Sequence, residues 1–280
     1  MMNILAFLLI FMAAGAAPAA AADVQSVYDL RDSRRVTLAD LIPELLTRRI
    51  VIVGEQHTDE SHHRAQLRVI QALVEAGAKV AVGLEMFRQN SQGALDRWTA
   101  GDISPREFET IYYDNWNYPW PAYRPIFEYA RAQKIPMIGL NVAPDITRQV
   151  ARDGFQSLSE EQRGQLSDVA CNIDEEYMRY IRSVYGAHAH GQMNFTFFCE
   201  AQMVWDSAMA VHALRYLTFH PDATVVILTG VGHAQKGAVP RQIRLRSPVP
   251  VAVFLPEVVG SIDPKTVDLQ DADFLLMGAR

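Results

Sequence analysis

Residues Ile50, Val51, Ile52 and Val53 form an unbroken β-branched run that passes directly into Gly54-Glu55-Gln56-His57. A strand this continuously apolar has to be covered on both faces, which in practice means a parallel sheet between helices. The abrupt change to glycine, carboxylate and imidazole then marks the strand's carboxyl end, where a βα turn lets side chains converge on a ligand. The chain repeats the device at Val225-Val226-Ile227-Leu228-Thr229-Gly230-Val231-Gly232-His233, again closed by Gly-x-x-His. Two further runs, 79–85 and 135–141, end in Glu85 and Asn141.

Between the first two runs, Leu67, Ile70, Leu73 and Val74 recur at helical spacing and Gly77 supplies a stop. Strand, helix and strand in so short a stretch make a βαβ unit, whose right-handed crossover brings both strand ends to one edge of the sheet. Helices are expected at 92–101, at 104–112, where Ser104, Pro105 and Glu107 make a capped start, and at 124–134. Tyr112, Tyr113, Trp116, Tyr118, Trp120 and Tyr123 crowd a stretch with Pro119 and Pro121. That stretch reads as a proline-braced loop, either a corner packed on the domain or a set of flat faces for a flat ligand. From about 154 to 219 the strand pattern gives way to helices, including a long amphipathic one at 201–217. Strands are expected again at 250–255 and 273–277. The fold class is therefore α/β: a mainly parallel sheet flanked by helices, with a helical insertion at about 154–219 covering the strand carboxyl ends.

The first 22 residues carry no charge; an apolar stretch at 4–12 is followed by small residues up to Asp23. This is the layout of a secretory signal cleaved near Ala22, leaving 23–280 as a single domain, although a basic residue before the apolar core is missing. A membrane anchor is the rival reading, weakened by the alanine- and glycine-rich second half. No cysteine follows the apolar run to carry a lipid. With 26 basic against 32 acidic residues and a net charge of -6, the chain offers no basic run and nucleic acid is a poor partner. Cys171 and Cys199 are either a disulfide or two small core residues.

Glu55, His57, Glu85 and His233 are expected at one edge of one sheet. Two carboxylates and two imidazoles suit a borderline metal such as zinc, manganese or iron, and equally suit general acid-base catalysis without one. Arg88, three residues past Glu85, is a candidate to hold an anion or an oxyanion. The bland alternative is that these groups satisfy one another beneath a loop. Tyr185-Gly186-Ala187-His188-Ala189-His190-Gly191 is a second cluster of potential ligands in the helical part. No nucleophile elbow, Walker loop or dinucleotide fingerprint is present.

Val53-Gly54-Glu55-Gln56-His57, Leu84-Glu85-Met86-Phe87, Gly139-Leu140-Asn141, Ala201-Gln202-x-x-Trp205-Asp206-x-x-Met209-Ala210 and Gly230-x-Gly232-His233 follow one another in order. Together they resemble the ChaN-like haem-uptake family, part of a wider set with Tiki and TraB proteases and erythromycin esterases. The resemblance implies an α/β core with a helical part, a bacterial protein of haem or iron acquisition, haem bound through tyrosine, and haem-driven dimerisation. It makes Tyr185, His188 and His190 the candidate haem residues and an outer-membrane haem uptake system the candidate partner. The chain departs from the pattern in lacking a lipoprotein cysteine, so the expected location is periplasmic or exported. The same resemblance keeps open a metal-dependent or general-base hydrolase, protease or esterase, using Glu55, His57, Glu85 and His233.

Overall fold

The computed structural model describes residues 26–186 and 194–278. An eight-stranded sheet runs in the order β2-β1-β8-β7-β3-β6-β4-β5. Its strands are β1 (Ser26–Asp29), β2 (Arg34–Thr37), β3 (Ile50–Glu55), β4 (Lys79–Arg88), β5 (Met137–Asn141), β6 (Ala223–Gly230), β7 (Val251–Pro256) and β8 (Phe274–Leu276). The six from β8 to β5 are parallel, and β1 joins antiparallel to both β8 and β2. The chain is thus α/β with a mostly parallel sheet, and the β1–β2 hairpin is an addition that the sequence pattern did not announce.

One layer of helices consists of α1 (Leu38–Leu45), α2 (Glu60–Glu75), α3 (Gln92–Ala100), α4 (Pro105–Asn115) and α5 (Trp120–Ala132). The other contains α6 (Pro144–Asp153), α7 (Glu160–Gly164), α8 (Glu175–Tyr185), α9 (Phe195–Phe219), α10 (Val231–Ala234) and α11 (Val239–Arg244). Alternation along β3 divides the core: Val51 and Val53 face α2 and α5 with Val69, Leu73 and Phe127. Ile50 and Ile52 face α9 with Met209, Ala213 and Leu217. Each apolar run is therefore buried on both sides, which is why no polar residue interrupts it.

The expected loop at 112–123 is mostly helical. Pro105 and Pro121 sit in the first turns of α4 and α5, where a missing N–H costs nothing, and Tyr112, Trp120 and Tyr123 turn inward to the core. Between 154 and 219 no strand occurs among the described residues. There α9 begins six residues earlier than the periodicity indicated, because Asn194 caps it through the N–H groups of Thr196 and Phe197. Cys171 and Cys199 are free thiols beside one apolar cluster rather than a disulfide. No helix among the described residues is long and apolar enough to cross a membrane.

Candidate active site at the strand edge

The sheet order places β6 between β3 and β4, although β3 and β4 are joined directly by α2. Such a skipped strand opens a crevice at the carboxyl edge. Glu55 closes β3 opposite Gly230 of β6, and Glu85 projects from β4 to the same point. Glu85 Oε2 accepts from the Thr229 hydroxyl at 2.5 Å and from the Gly230 N–H at 2.6 Å. These bonds fix the carboxylate and leave Oε1 facing His233 Nε2 at 3.9 Å.

Two matching relays converge on Glu85. In the first, Glu55 Oε1 accepts from the Tyr123 hydroxyl at 2.6 Å and faces His57 Nδ1 at 2.8 Å. In the second, Asp206 Oδ2 accepts from the Tyr177 hydroxyl at 2.5 Å, and Asp206 Oδ1 faces His233 Nδ1 at 2.6 Å. A carboxylate acceptor requires the proton on Nδ1, so each imidazole turns Nε2 away from its carboxylate. Indoles stand edge-on to both rings, Trp116 at 5.1 Å from His57 and Trp205 at 5.7 Å from His233. Tyr118 adds a further ring 4.9 Å from His57. Gly230 makes room for the first relay, since a Cβ there would lie 2.9 Å from His57 Cε1.

Charge is distributed unevenly between the relays. Burial would raise the Glu55 carboxyl, but hydrogen bonds from His57 and Tyr123 together with the adjacent His63 imidazole hold it at about 2. His63 Nε2 lies 3.1 Å from Glu55 Oε2 without hydrogen-bond alignment. Burial opposes charge on His57, yet the Glu55 bond and nearby Glu85 raise its pKa. Burial opposes charge on His233 more strongly, and Asp206 with Glu85 nevertheless lifts it to about 9. At neutral pH His233 thus carries a proton on both ring nitrogens.

Residues 41–243 match the model of the family described as haem-binding uptake, Tiki superfamily, ChaN. The chain belongs to this family. Among solved structures it is similar to ChaN of Campylobacter jejuni, whose structure describes cofacial haem binding, with 20% identity, 92% of this chain and 98% of that chain covered, and a TM-score of 0.72. It is also similar to the type III effector HopBA1 (14% identity, 86% and 93% covered, TM-score 0.50) and to an erythromycin esterase mutant in its open conformation (15% identity, 78% and 72% covered, TM-score 0.49). No curated protein sequence matches it.

In this ChaN-family chain the four strand-end residues read from sequence, Glu55, His57, Glu85 and His233, stand together. Arg88 does not join them: its Nε donates to Asn115 Oδ1 and its guanidinium to the Asp114 carbonyl, at the carboxyl end of α4. A kink in the β4–β5 register between Leu84 and Arg88 separates the two side chains. His188 and His190 lie outside the described residues, as does the side chain of Tyr185, the last residue of α8. Tyr123, Tyr177 and Asp206 were not singled out as site residues from the sequence. Of these, Asp206 carried a signal, as the acid of the Ala201-Gln202-x-x-Trp205-Asp206 stretch in which the resemblance lies. Among the described residues no group of three or more His, Cys, Asp or Glu is arranged to hold a metal ion.

Proposed function

We propose that this protein is an exported bacterial haem-binding protein serving haem or iron acquisition. The observation that carries this reading is the family match across 41–243, which spans β3, β4, β5, β6 and the helices between them. The strand edge suits such a ligand: Trp116, Tyr118 and Trp205 bring aromatic rings to the two imidazoles, and His57 Nε2, turned away from Glu55, is a nitrogen that can ligate iron. Among the tyrosines of α8, Tyr177 and Tyr180 spend their hydroxyls on Asp206 and the Gly232 carbonyl, and Tyr185, beside the two histidines in sequence, is the candidate phenolate. An anionic oxygen ligand matches hard ferric iron, and His188 or His190 would accept the phenol proton or ligate in its place. When bound, haem supplies the iron whose electronic spectrum reports the ligands. Haem-linked pairing of two copies, delivery from an outer-membrane uptake system, and removal of residues 1–22 on export to the periplasm complete the reading.

Titration of the purified protein with ferric haem tests it. A shifted Soret band is expected, weakened or moved in Tyr185→Phe, with sedimentation changing on haem addition. A wild-type protein that leaves the haem spectrum unperturbed sinks the reading. Intact mass of exported protein should correspond to a chain starting near Asp23.

The paired relays favour a second reading, hydrolysis of an ester or peptide. His57 Nε2 would take a proton from water as its oxygen adds to a carbonyl carbon, and His233 would give its proton to the leaving group. The geometry does not favour a metal-assisted version: among the described residues no three His, Cys, Asp or Glu side chains are arranged to hold zinc, manganese or iron, and the Glu55 oxygens already face His57, Tyr123 and His63.

A further inference from the structure

A cavity of about 330 Å³ opens at the carboxyl ends of β4 and β5, beside the crevice but distinct from it. Arg88, Asn90, Asn141 and His212 give it polar walls, while Val142 and Ile146 give it apolar ones. It shares a partition with the histidine site, because the Asn141 side-chain amide donates to the Glu85 carbonyl at 2.8 Å.

Arg88 is held in place without being neutralised. Its Nε and one terminal nitrogen donate to Asn115 Oδ1 and the Asp114 carbonyl, each at 3.0 Å and each a neutral acceptor. Asn115 Oδ1 also accepts from the Arg88 main-chain N–H and the Ser91 hydroxyl, so the clamp is shared by three donors. Arg97, Arg124, Arg152 and Arg215 each face a carboxylate. Among the described residues no carboxylate comes within ion-pair distance of Arg88. Asp145, the nearest acid along α6, is exposed and forms no part of the wall. A guanidinium carries five donors in a planar fork, and two fixed bonds leave the rest for a planar acceptor. His212 is neutral: burial lowers its pKa, and Nδ1, 2.8 Å from the Leu140 carbonyl, carries the ring's proton. It adds no cation, so the charge a ligand meets here is that of Arg88.

We propose that Arg88 anchors a ligand carboxylate in this cavity, the half-apolar walls receiving the short hydrocarbon arm that bears it. A propionate arm of haem seated at the neighbouring crevice and a free small carboxylic acid offer the same chemistry. The first source rests on the haem reading; the second does not.

Arg88→Gln removes the charge, and Gln165→Glu puts a negative charge at the exposed rim while leaving the Arg88 clamp intact. Two titrations are compared in wild type and both variants, with circular dichroism establishing that each is folded. Ferric haem and its dimethyl ester are followed at the Soret band, and glutarate by calorimetry. A propionate arm in the cavity gives wild type a preference for the free acid over the ester of about tenfold, the size of one charge-assisted bond, and both variants lose most of it. Glutarate binding that falls about tenfold or more in both variants identifies a free acid as the occupant. Wild type that binds neither form of haem sinks the haem reading alone, and glutarate then decides for the cavity. Folded variants that match wild type in both titrations overturn the proposal.

Discussion

Asp206 Oδ1 and His233 Nδ1 stand 2.6 Å apart with both side chains buried, so one proton between them settles the charge of the whole second relay. His233 has a folded pKa of about 9, above the roughly 6.5 of an unfolded histidine. Its contribution to stability is therefore complete below about pH 6.5 and is lost as pH rises through about 9. Melting temperature should decline across that window in wild type, and the decline should flatten in His233→Gln. Asp206→Ala leaves the imidazole buried without its carboxylate and should cost about 3–5 kcal/mol in urea unfolding.

The acid limb belongs to Glu55. Its folded pKa of about 2 lies below the unfolded value near 4.5, so its contribution is present above about pH 4.5 and is lost as pH falls toward 2. Glu55→Gln should remove that part of the acid dependence and lower the His57 pKa, read from the imidazole proton shifts. An unchanged His57 titration would mean that Glu85 alone holds the ring's charge.

Gly230→Ala tests whether His57 needs the space above the strand end. The added methyl would meet His57 Cε1 at 2.9 Å and Nε2 at 3.1 Å. Loss of stability should be about 1–3 kcal/mol, the usual cost of overpacking, with altered His57 shifts and little change at His233.

At Gly139 the conflict is with backbone rather than side chain: a Cβ would run into the Arg88 carbonyl oxygen. Gly139→Ala should therefore displace the end of β4 and cost at least about 1–3 kcal/mol. Because Glu85 and Arg88 sit on that strand end, its urea midpoint and its haem and glutarate titrations should shift together.

His57→Ala and His233→Ala separate the two functional readings. If the relays catalyse hydrolysis at a site apart from haem, each variant loses a factor of about 10² to 10⁴ in rate on an ester or peptide and keeps its haem affinity. If they belong to the haem site, the Soret titration weakens instead. Variants that change only in melting temperature would make the relays structural.

The sequence declared the parallel core and its active edge because both are written in consecutive residues. Ile50 to Val53 and Val225 to Leu228 had to be buried strands, and the polar residues closing them had to emerge together. The outer half of each relay was not legible. Tyr123 and Tyr177 read as packing residues, and packed they are, each fully buried while its hydroxyl reaches a relay carboxylate. Asp206 lies in α9, where Ala201, Gln202, Met203 and Val204 are buried in succession and periodicity names no face. Its partner is set by how α9 crosses β6, a tertiary fact. The β1 and β2 strands escaped notice at four residues each, too short for alternation to register.

Gly230 and Glu85 are bonded across 145 residues of chain, and β6 must enter between β3 and β4 before that bond can form. A growing chain that has made β4 but not β6 holds two strands that cannot yet pair through their missing neighbour. Neither relay can then converge on Glu85, and the crevice has no floor. The closure of so long a loop is slow relative to local helix formation. Assembly of the site is thus tied to the arrival of β6, and any truncation before Ala223 yields a chain that carries Glu55, His57 and Glu85 yet has no site.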